Sequence, residues 1–578
     1  MKNTYILGVN LYIDPSAALI VNGSVESYCE EERLNRIKHS IGKYPILSIK
    51  YCLNDFGITM DDVDSIAINW DIESYSNGEM EKFYNLLSKQ YPKIDKKTIK
   101  WQKSKISERS WLSYNNFHYK SLSSELNFKT MPPIMAYPHH LVHAHHSYKQ
   151  SGFDEALCIT VDGSGDKDCT VLWKCNKENI DRIYTLQIPH SLGWLYSAIT
   201  EYLGFESYDG EYKVMGMASY GEYNRDIEEN LKKIIDISED GIGYSVDPHY
   251  IHYGSHSYSS RFTDNMVDLL GVPPRKPFEE INNFHNNLAY GIQNIAEEVI
   301  TRIVEWGVEH SGIKNICIGG GVGLNVKINS KIRQLNNVDK LFANPLCSDS
   351  GAAIGSALYC SEYKYKMAAK IYNSIYFGPE FSNSEIQSYL DTIKVKYTLV
   401  TNIFYDTALM ISKGMVIGWF QGRMEGGPRA LGNRSILADP RVMESRDKVN
   451  SIVKFREMWR PFCPSIIYED LHNYICEPEH SPYMVEAFIA NNNMKKSAPA
   501  VVHVDGTARI QTVSESENIA YYRLLSEFKK ITGVPILLNT SFNVKGEPVV
   551  CTPKDAIRTF FSSGLDVLVL GDYIIKKQ

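Results

Sequence analysis

The chain has 578 residues, more than one hydrophobic core can organise, so two or more domains are expected. Hydrophobic residues make up 43% and charged residues 22%, a globular balance that excludes a disordered or fibrous class. The net charge of −7 gives no support for a general nucleic-acid or membrane-surface binder.

No run approaches the ~18 apolar residues of a membrane span. The first residues, MKNTYILGVNLYI, carry one lysine and an apolar run broken by Asn10, which reads as a strand rather than a signal peptide. The eleven cysteines are scattered, without a CxxC pair. Cys317, Cys347 and Cys463 read as buried thiols, and a reducing cytoplasm is the expected location.

Residues Tyr5 to Val25 read as strand, acidic turn at Asp14, strand, and a second turn at Asn22-Gly23. The segment from 78 to 130 is polar, rich in Lys, Ser and Tyr, and has the look of a variable insertion. Next comes YPHHLVHAHH, Tyr137 to His146, with five of the chain's sixteen histidines. Pro138 suits the first turn of a helix. A helix starting there stacks His139 and His143 on one face, four residues apart, a spacing that can hold one metal ion. The competing reading is a solvated His-rich turn. Leu157 to Lys174 is a second hairpin, and its first strand ends at Asp162, a candidate third ligand. Two hairpins, each with an aspartate at the first turn, suggest duplicated lobes of the kind found in actin-like ATP-binding proteins.

Asn315 to Asn329, NICIGGGVGLNVKIN, predicts a buried strand, a glycine turn and a helix. Gly320 and Gly321 would let backbone N–H groups approach a nucleotide. A plain tight turn is the alternative. The stretch SEYKYKMAAKIYNSIYFGPE reads as helical, and composition changes after it. A boundary near residue 368 divides the chain into domains 1–367 and 368–578.

The second half carries a cationic set within apolar surroundings: Arg429, Lys454, Arg456, Arg460 and Arg509. An isolated buried charge is costly, so such a set calls for an anion, and a phosphate or acyl phosphate fits. Asn539, Thr540 and Ser541 could add neutral donors. Structural salt bridges are the other reading.

At this point the chain resembles the NodU/CmcH family of O-carbamoyltransferases. The likeness rests on EERLNRIKH, HHLVHA, TVDGSGD, EYKVMGMASYG, GGGVGLN, PLCSDSGAAIG, GPRALGNRSILADPR, VKFREMWRPFCPS, HVDGTARIQTV and NTSFNVKGEPVV, spread over nearly the whole length. It implies an α/β protein in two parts. The first is an actin-like, two-lobed domain of the ASKHA superfamily, similar to threonylcarbamoyl-transfer enzymes. The second is a YrdC-like α/β domain.

The resemblance further implies that the YrdC-like part makes carbamoyladenylate from carbamoyl phosphate and ATP. The first part then passes the carbamoyl group to a hydroxyl of a natural product or sugar. Residue by residue, His139, His143, Asp162 and Asp349 fall on iron ligands, although two imidazoles and two carboxylates also suit Mn or Zn. Lys38 and Asn325 fall near the first nucleotide site, beside Gly320 and Gly321. Arg429, Lys454, Arg460, Arg509, Asn539 and Ser541 fall on the carbamoyl phosphate and adenylate site, with Lys454 and Arg460 catalytic. Mg2+ is expected to accompany ATP. No nucleic-acid or membrane partner is expected, and a homodimer is left open.

One departure matters. The family reads N-x-x-H-D-A-S in the first hairpin, and here Asn10 to Ser16 reads NLYIDPS, with Ile13 at the histidine position. Either Asp14 or Asp162 takes over deprotonation of the acceptor, or the acceptor needs less help, or the transfer step is altered. Transfer to nitrogen and a regulatory ATPase without transfer are the alternatives. Gly426, Cys347 and Cys463 also depart from the family pattern and read as packing changes.

Overall fold

A computed structural model describes residues 3–91, 96–238, 242–252, 261–457 and 459–577. They fold as a mixed α/β protein in two compact units. The first comprises Met1–Asn10, Ala18–Val25 and Gly57–Ile371, and the second Leu11–Ala17, Glu26–Phe56 and Tyr372–Gln578.

Strands β1 (Tyr5–Asn10), β2 (Ser16–Val21), β3 (Ser24–Glu30), β4 (Ser65–Ile68) and β5 (Ile134–Ala136) lie in the order β3-β2-β1-β4-β5. β1, β4 and β5 run parallel. Strands β6 (Glu155–Gly165), β7 (Asp168–Asn176) and β8 (Ile180–Gln187) form an antiparallel meander. A separate pair is made by β9 (Ile235–Ile237) and β10 (Tyr244–Val246). β11 (Asn315–Gly319) and β12 (Lys340–Ala343) then join β6 in parallel, giving the order β12-β11-β6-β7-β8. The two sheets follow one plan: three consecutive strands, with two later strands added one after the other beside the first of them. The central strands are apolar without alternation, as in SAALIV and LCITV, because both their faces are covered.

In the second unit, ten strands are β13 (Thr398–Leu399), β14 (Ile417–Phe420), β15 (Arg434–Ala438), β16 (Cys463–Ile467), β17 (Ala487–Ile489), β18 (Thr507–Arg509), β19 (Gln511–Val513), β20 (Ile536–Ser541), β21 (Val567–Leu570) and β22 (Tyr573–Lys576). Eight of them form one mixed sheet, β13-β22-β21-β14-β15-β20-β16-β19, and β17 pairs with β18. Trp419, Phe420, Phe462, Phe528 and Leu537 are fully buried in its core.

The later boundary falls between Ile371 and Tyr372, and the units depart from a single cut there in one respect. Leu11–Ala17 and Glu26–Phe56 belong with the second unit. The cause is a set of buried polar bonds that local sequence pattern does not reveal. The Gly427 N–H donates to Glu30 Oε1 at 2.6 Å, and Arg33 Nη2 donates to the Gly427 carbonyl at 2.7 Å. Arg36 donates to the carbonyls of Pro548 (2.7 Å) and Val549 (2.6 Å).

The Lys/Tyr/Ala-rich stretch also departs from expectation. The helix Ala352–Tyr363 is capped at Lys364, and the chain runs on without helix to Gly378. Lys366 sits at φ +58°, and Lys370 N–H bonds the Gly23 carbonyl at 2.9 Å, so the backbone is drawn off the helix into tertiary hydrogen bonds. The polar 78–130 segment holds three helices, Glu79–Gln90, Lys96–Glu108 and Trp111–Ser123. Among the described residues, no helix is long and apolar enough to cross a membrane.

Candidate metal centre and cationic pocket

The helix His139–Ser151 begins directly after Pro138, which occupies the cap position with extended ψ rather than the first turn. Its 3.6-residue period puts His139 and His143 one above the other. Their Nε2 atoms lie 3.0 Å apart. Asp162, near the end of β6, brings Oδ2 within 3.7 Å of His139 and 3.6 Å of His143. Asp349, ahead of the helix Ala352–Tyr363, brings Oδ1 within 3.4 Å and 3.6 Å of the same two nitrogens. A metal bound at about 2.1 Å to four tetrahedral ligands would hold them about 3.4 Å apart. The donor set therefore fits a divalent ion in both chemistry and spacing.

The surroundings support that use. Asn69 brackets His139 Nδ1 with its backbone carbonyl at 3.3 Å and its side-chain amide at 3.2 Å. With the carbonyl as acceptor the proton lies on Nδ1 and Nε2 is the ligand atom, and the Asn69 Nδ2, itself a donor, then makes no hydrogen bond to that nitrogen. Burial alone would push the His139 pKa down, yet Asp349 and Asp162 outweigh it and raise it to about 10. Burial would raise Asp349, and His139 and His143 instead hold it well below the usual carboxylate range. The centre favours positive charge between its carboxylates. The other three histidines are occupied elsewhere. His140 bonds Thr160 Oγ1 and the Asp168 carbonyl, and burial drives its pKa to about 3. His145 pairs with Glu362 at 3.0 Å, and burial also holds His146 at about 3.

The glycine turn lies behind Asp162. Gly320 has φ +83°, and a Cβ there would stand 2.3 Å from the Val161 carbonyl oxygen. Only glycine suits that backbone. The Gly321 N–H donates to Asp162 Oδ2 at 3.1 Å, and the Gly163 N–H to Oδ1 at 2.8 Å, so the turn orients a metal-site carboxylate. Asn325 caps the helix Val326–Arg333, accepting from Lys327 and Ile328 N–H groups at 3.2 Å each. Its Nδ2 donates to Gln293 Oε1 at 2.9 Å.

The second unit gathers the cations. Lys454 is buried and donates to the Ser541 carbonyl (2.6 Å), the Asn543 carbonyl (2.9 Å) and Asn543 Oδ1 (2.6 Å). Burial pushes its pKa well down, and Arg456, Arg460 and Lys38 push the same way. Burial and Arg460 likewise lower Arg456. Arg456 donates to Asn450 Oδ1 at 2.7 Å and stacks 4.5 Å over Phe462. Its Nη2 is buried with no hydrogen-bond partner among the described residues. Arg460 is only 3.9 Å from Glu457, and Arg509 donates to Cys463 Sγ at 2.9 Å. Arg429 is half-buried in the turn whose next carbonyl, Ala430, accepts from Asn539 Nδ2 at 3.1 Å. Asn539 also donates to Ser465 and Gln511, and Ser541 Oγ bonds Asn543 Oδ1, so these donors are engaged within the protein.

Lys38 lies in the second unit, near enough to Lys454 to lower its pKa, and not with Asn325 in the first. The segment Glu26–Phe56 carries it there. The same segment pairs Asp14 Oδ1 with His39 Nδ1 at 2.7 Å. His39 escaped the sequence reading, although it directly follows Lys38 in EERLNRIKH. Asn69 and Asn543 escaped it too, and no local signal marks either.

Comparison with known proteins finds two family matches, one after the other along the chain. The family described as "Carbamoyltransferase N-terminus" matches residues 5–358, and "Carbamoyltransferase C-terminus" matches 408–577. The uncharacterised protein sll1178 of Synechocystis sp. is 34% identical over 99% of this chain and 97% of its own length. Nodulation protein NolNO of Sinorhizobium fredii is 35% identical over 98% of this chain and 79% of its own. A solved structure of full-length HypF, in a phosphate- and nucleotide-bound form, aligns at 12% identity and a TM-score of 0.32, covering 62% of this chain and 46% of that one. That likeness is too slight to carry an argument. The two family matches cover most of the chain, and the two relatives align with 98–99% of it: the chain belongs to the carbamoyltransferases, a family of group-transfer enzymes.

Proposed function

We propose that this carbamoyltransferase makes carbamoyladenylate from carbamoyl phosphate and ATP in its second unit, releasing orthophosphate and pyrophosphate. The carbamoyl group then passes to a hydroxyl of a small-molecule acceptor. The observation that carries this reading is the crowding of Lys454, Arg456 and Arg460, in which Arg456 and Arg460 lower the Lys454 pKa and Arg460 lowers that of Arg456, with a buried Arg456 Nη2 that has no hydrogen-bond partner among the described residues. Like charges driven together under burial are stabilised by an anion, and carbamoyl phosphate is a small dianion. The same groups would offset charge developing on its oxygens. ATP would arrive with Mg2+.

The plan shared by the two five-stranded sheets supports an actin-like reading of the N-terminal part, and the mixed eight-stranded sheet is compatible with a YrdC-like second part. His139, His143, Asp162 and Asp349 would hold Fe2+, or another divalent ion, for the transfer step. When bound, such an ion polarises a carbonyl oxygen as a Lewis acid. Asn69 orients the His139 ring, and Gly321 and Gly163 orient Asp162.

The test is direct. Purified protein with ATP and carbamoyl phosphate should release pyrophosphate only when both are present. Carbamoyl-independent release, or none, would sink the adenylate step. Mass spectrometry of the carbamoylated acceptor then separates transfer to oxygen from transfer to nitrogen.

A further inference from the structure

The polar segment 78–130 takes no part in the chemistry described above, yet one of its side chains reaches the metal helix. Arg109 follows the helix Lys96–Glu108, its N–H bonding the Lys105 carbonyl at 3.1 Å, and it is buried. Its guanidinium carbon lies 3.6 Å from the centre of the Trp70 ring, and Nη1 donates to the Tyr75 hydroxyl at 2.9 Å. Trp70 in turn stands 5.0 Å from the His139 imidazole, tilted by 37°.

A second line of contact runs through Asp166, in the turn between β6 and β7. Its Oδ2 accepts the His139 N–H at 3.1 Å, and its Oδ1 accepts the Asp71 N–H at 3.1 Å. His139 is the first residue of its helix, where N–H groups have no partner within the helix, and Pro138 has no side-chain acceptor to offer. Asp166 therefore caps the metal helix from another part of the fold, with the sign of charge that a helix start favours. Gly165, one residue earlier, lets the turn lie against the imidazole. A Cβ there would stand 2.3 Å from His139 Cδ2. Burial pushes the Asp166 pKa up to about 6, and Arg109 is the strongest influence opposing that rise. The cation from the polar segment and the carboxylate of the turn thus work as a pair.

His139 is enclosed on several sides by these elements, all of them within the first unit. The Asn69 carbonyl faces Nδ1, Trp70 leans on the ring, and Asp166 holds the backbone.

We propose that Arg109 is a positioning residue of the metal centre, acting on His139 through Asp166 and Trp70. This rests on the reading that His139, His143, Asp162 and Asp349 hold a divalent ion. Removing the guanidinium leaves the Asp166 carboxylate without its cation in a poorly solvated place, which is a costly arrangement. The carboxylate then turns towards water, the first N–H of the helix loses its acceptor, and Trp70 loses the group stacked on it. His139 Nε2 is no longer held where the four donors converge. Groups behind a metal's ligands commonly govern its affinity by about tenfold to a hundredfold. The polar segment is on this account a working part of the centre.

The experiment uses Co2+ alone, on full-length protein first treated with a chelator. A competing chelator reads affinity, visible absorption reads the ligand field, and a melting curve is recorded for each metal-free variant. Arg109→Gln should weaken Co2+ binding by about tenfold to a hundredfold and alter the absorption band. Arg109→Lys keeps the charge and should recover part of the affinity. Asp166→Asn should weaken binding similarly, and the double variant should be little worse than either single one, because the two residues act in series. Replacing Lys100, exposed on the same helix, by Gln should leave binding as in wild type. Wild-type affinity and spectrum in Arg109→Gln, or losses that simply add in the double variant, overturn the proposal. So does an affinity that falls only in step with the melting temperature across the variants. His143→Ala tests the centre itself and should abolish the Co2+ signal. If it binds Co2+ unchanged, or wild type binds none, the metal reading fails and takes the proposal with it.

Discussion

His139 and His143 place their Nε2 atoms 3.0 Å apart, from successive turns of one helix, and each lies within 3.7 Å of both Asp162 and Asp349. One helical turn sets the nitrogen pair. Two carboxylates from distant strand and loop positions close the set.

If the centre serves transfer, changing His143 to Ala removes one ligand of four and should strip most of the bound metal. Carbamoyl transfer should then fall to background while carbamoyl-dependent pyrophosphate release persists. Metal content, pyrophosphate and product are measured on one preparation. A variant that melts early and loses both activities together would mean that the metal only supports the fold.

Lys454 offers a second test. Lys454→Ala and Arg460→Ala each remove a cation worth roughly 1.5–3 kcal/mol to a bound anion, or about a tenfold to hundredfold loss of pyrophosphate release. Lys454→Ala should lose transfer as well, since no adenylate forms.

Proton linkage checks the same pocket without turnover. The Lys454 pKa is depressed in the folded protein, so that state binds fewer protons than the unfolded chain between the depressed value and the unfolded one. Stability from this group therefore rises as pH rises through that window. A phosphate anion would raise the pKa again, so inorganic phosphate binding should take up protons in the window between the depressed value and the unfolded one. Calorimetry in buffers of different ionisation enthalpy reads the uptake. Zero uptake in wild type, or equal uptake in Lys454→Ala, would place phosphate elsewhere.

Asn325 separates a structural role from a nucleotide role. It caps the helix Val326–Arg333 and exchanges hydrogen bonds with Gln293. Asn325→Ala should lower stability by about 0.5–2 kcal/mol, as loss of a cap does. Asn325→Asp keeps the cap acceptor but loses the amide donor. If Asp restores stability and ATP dependence together, the residue acts through the cap. If ATP dependence stays impaired while stability returns, the amide serves the nucleotide.

Local chemistry made much of this legible in the sequence. The hairpin at Asn22-Gly23, the strand–glycine–helix run through Gly320 and the four-residue histidine spacing all depend on neighbours in the chain. Apolar runs such as SAALIV and LCITV announce buried strands for the same reason. The helix expected beyond Tyr363 failed because helical composition competes with tertiary hydrogen bonds, and here Gly23 took the Lys370 N–H.

The sequence by itself determined the α/β character, the presence of more than one domain, and the side-chain types available for metal and anion chemistry. These follow from periodicity and composition, which act over a few residues. Tertiary structure alone decided which of the five histidines converge, and that Lys38 lies with Lys454. It decided that Glu26–Phe56 joins the second unit, and that His39 meets Asp14. Each of those outcomes depends on long-range closure, where buried polar groups such as Glu30 and Arg33, and the half-buried Arg36, must find partners hundreds of residues away.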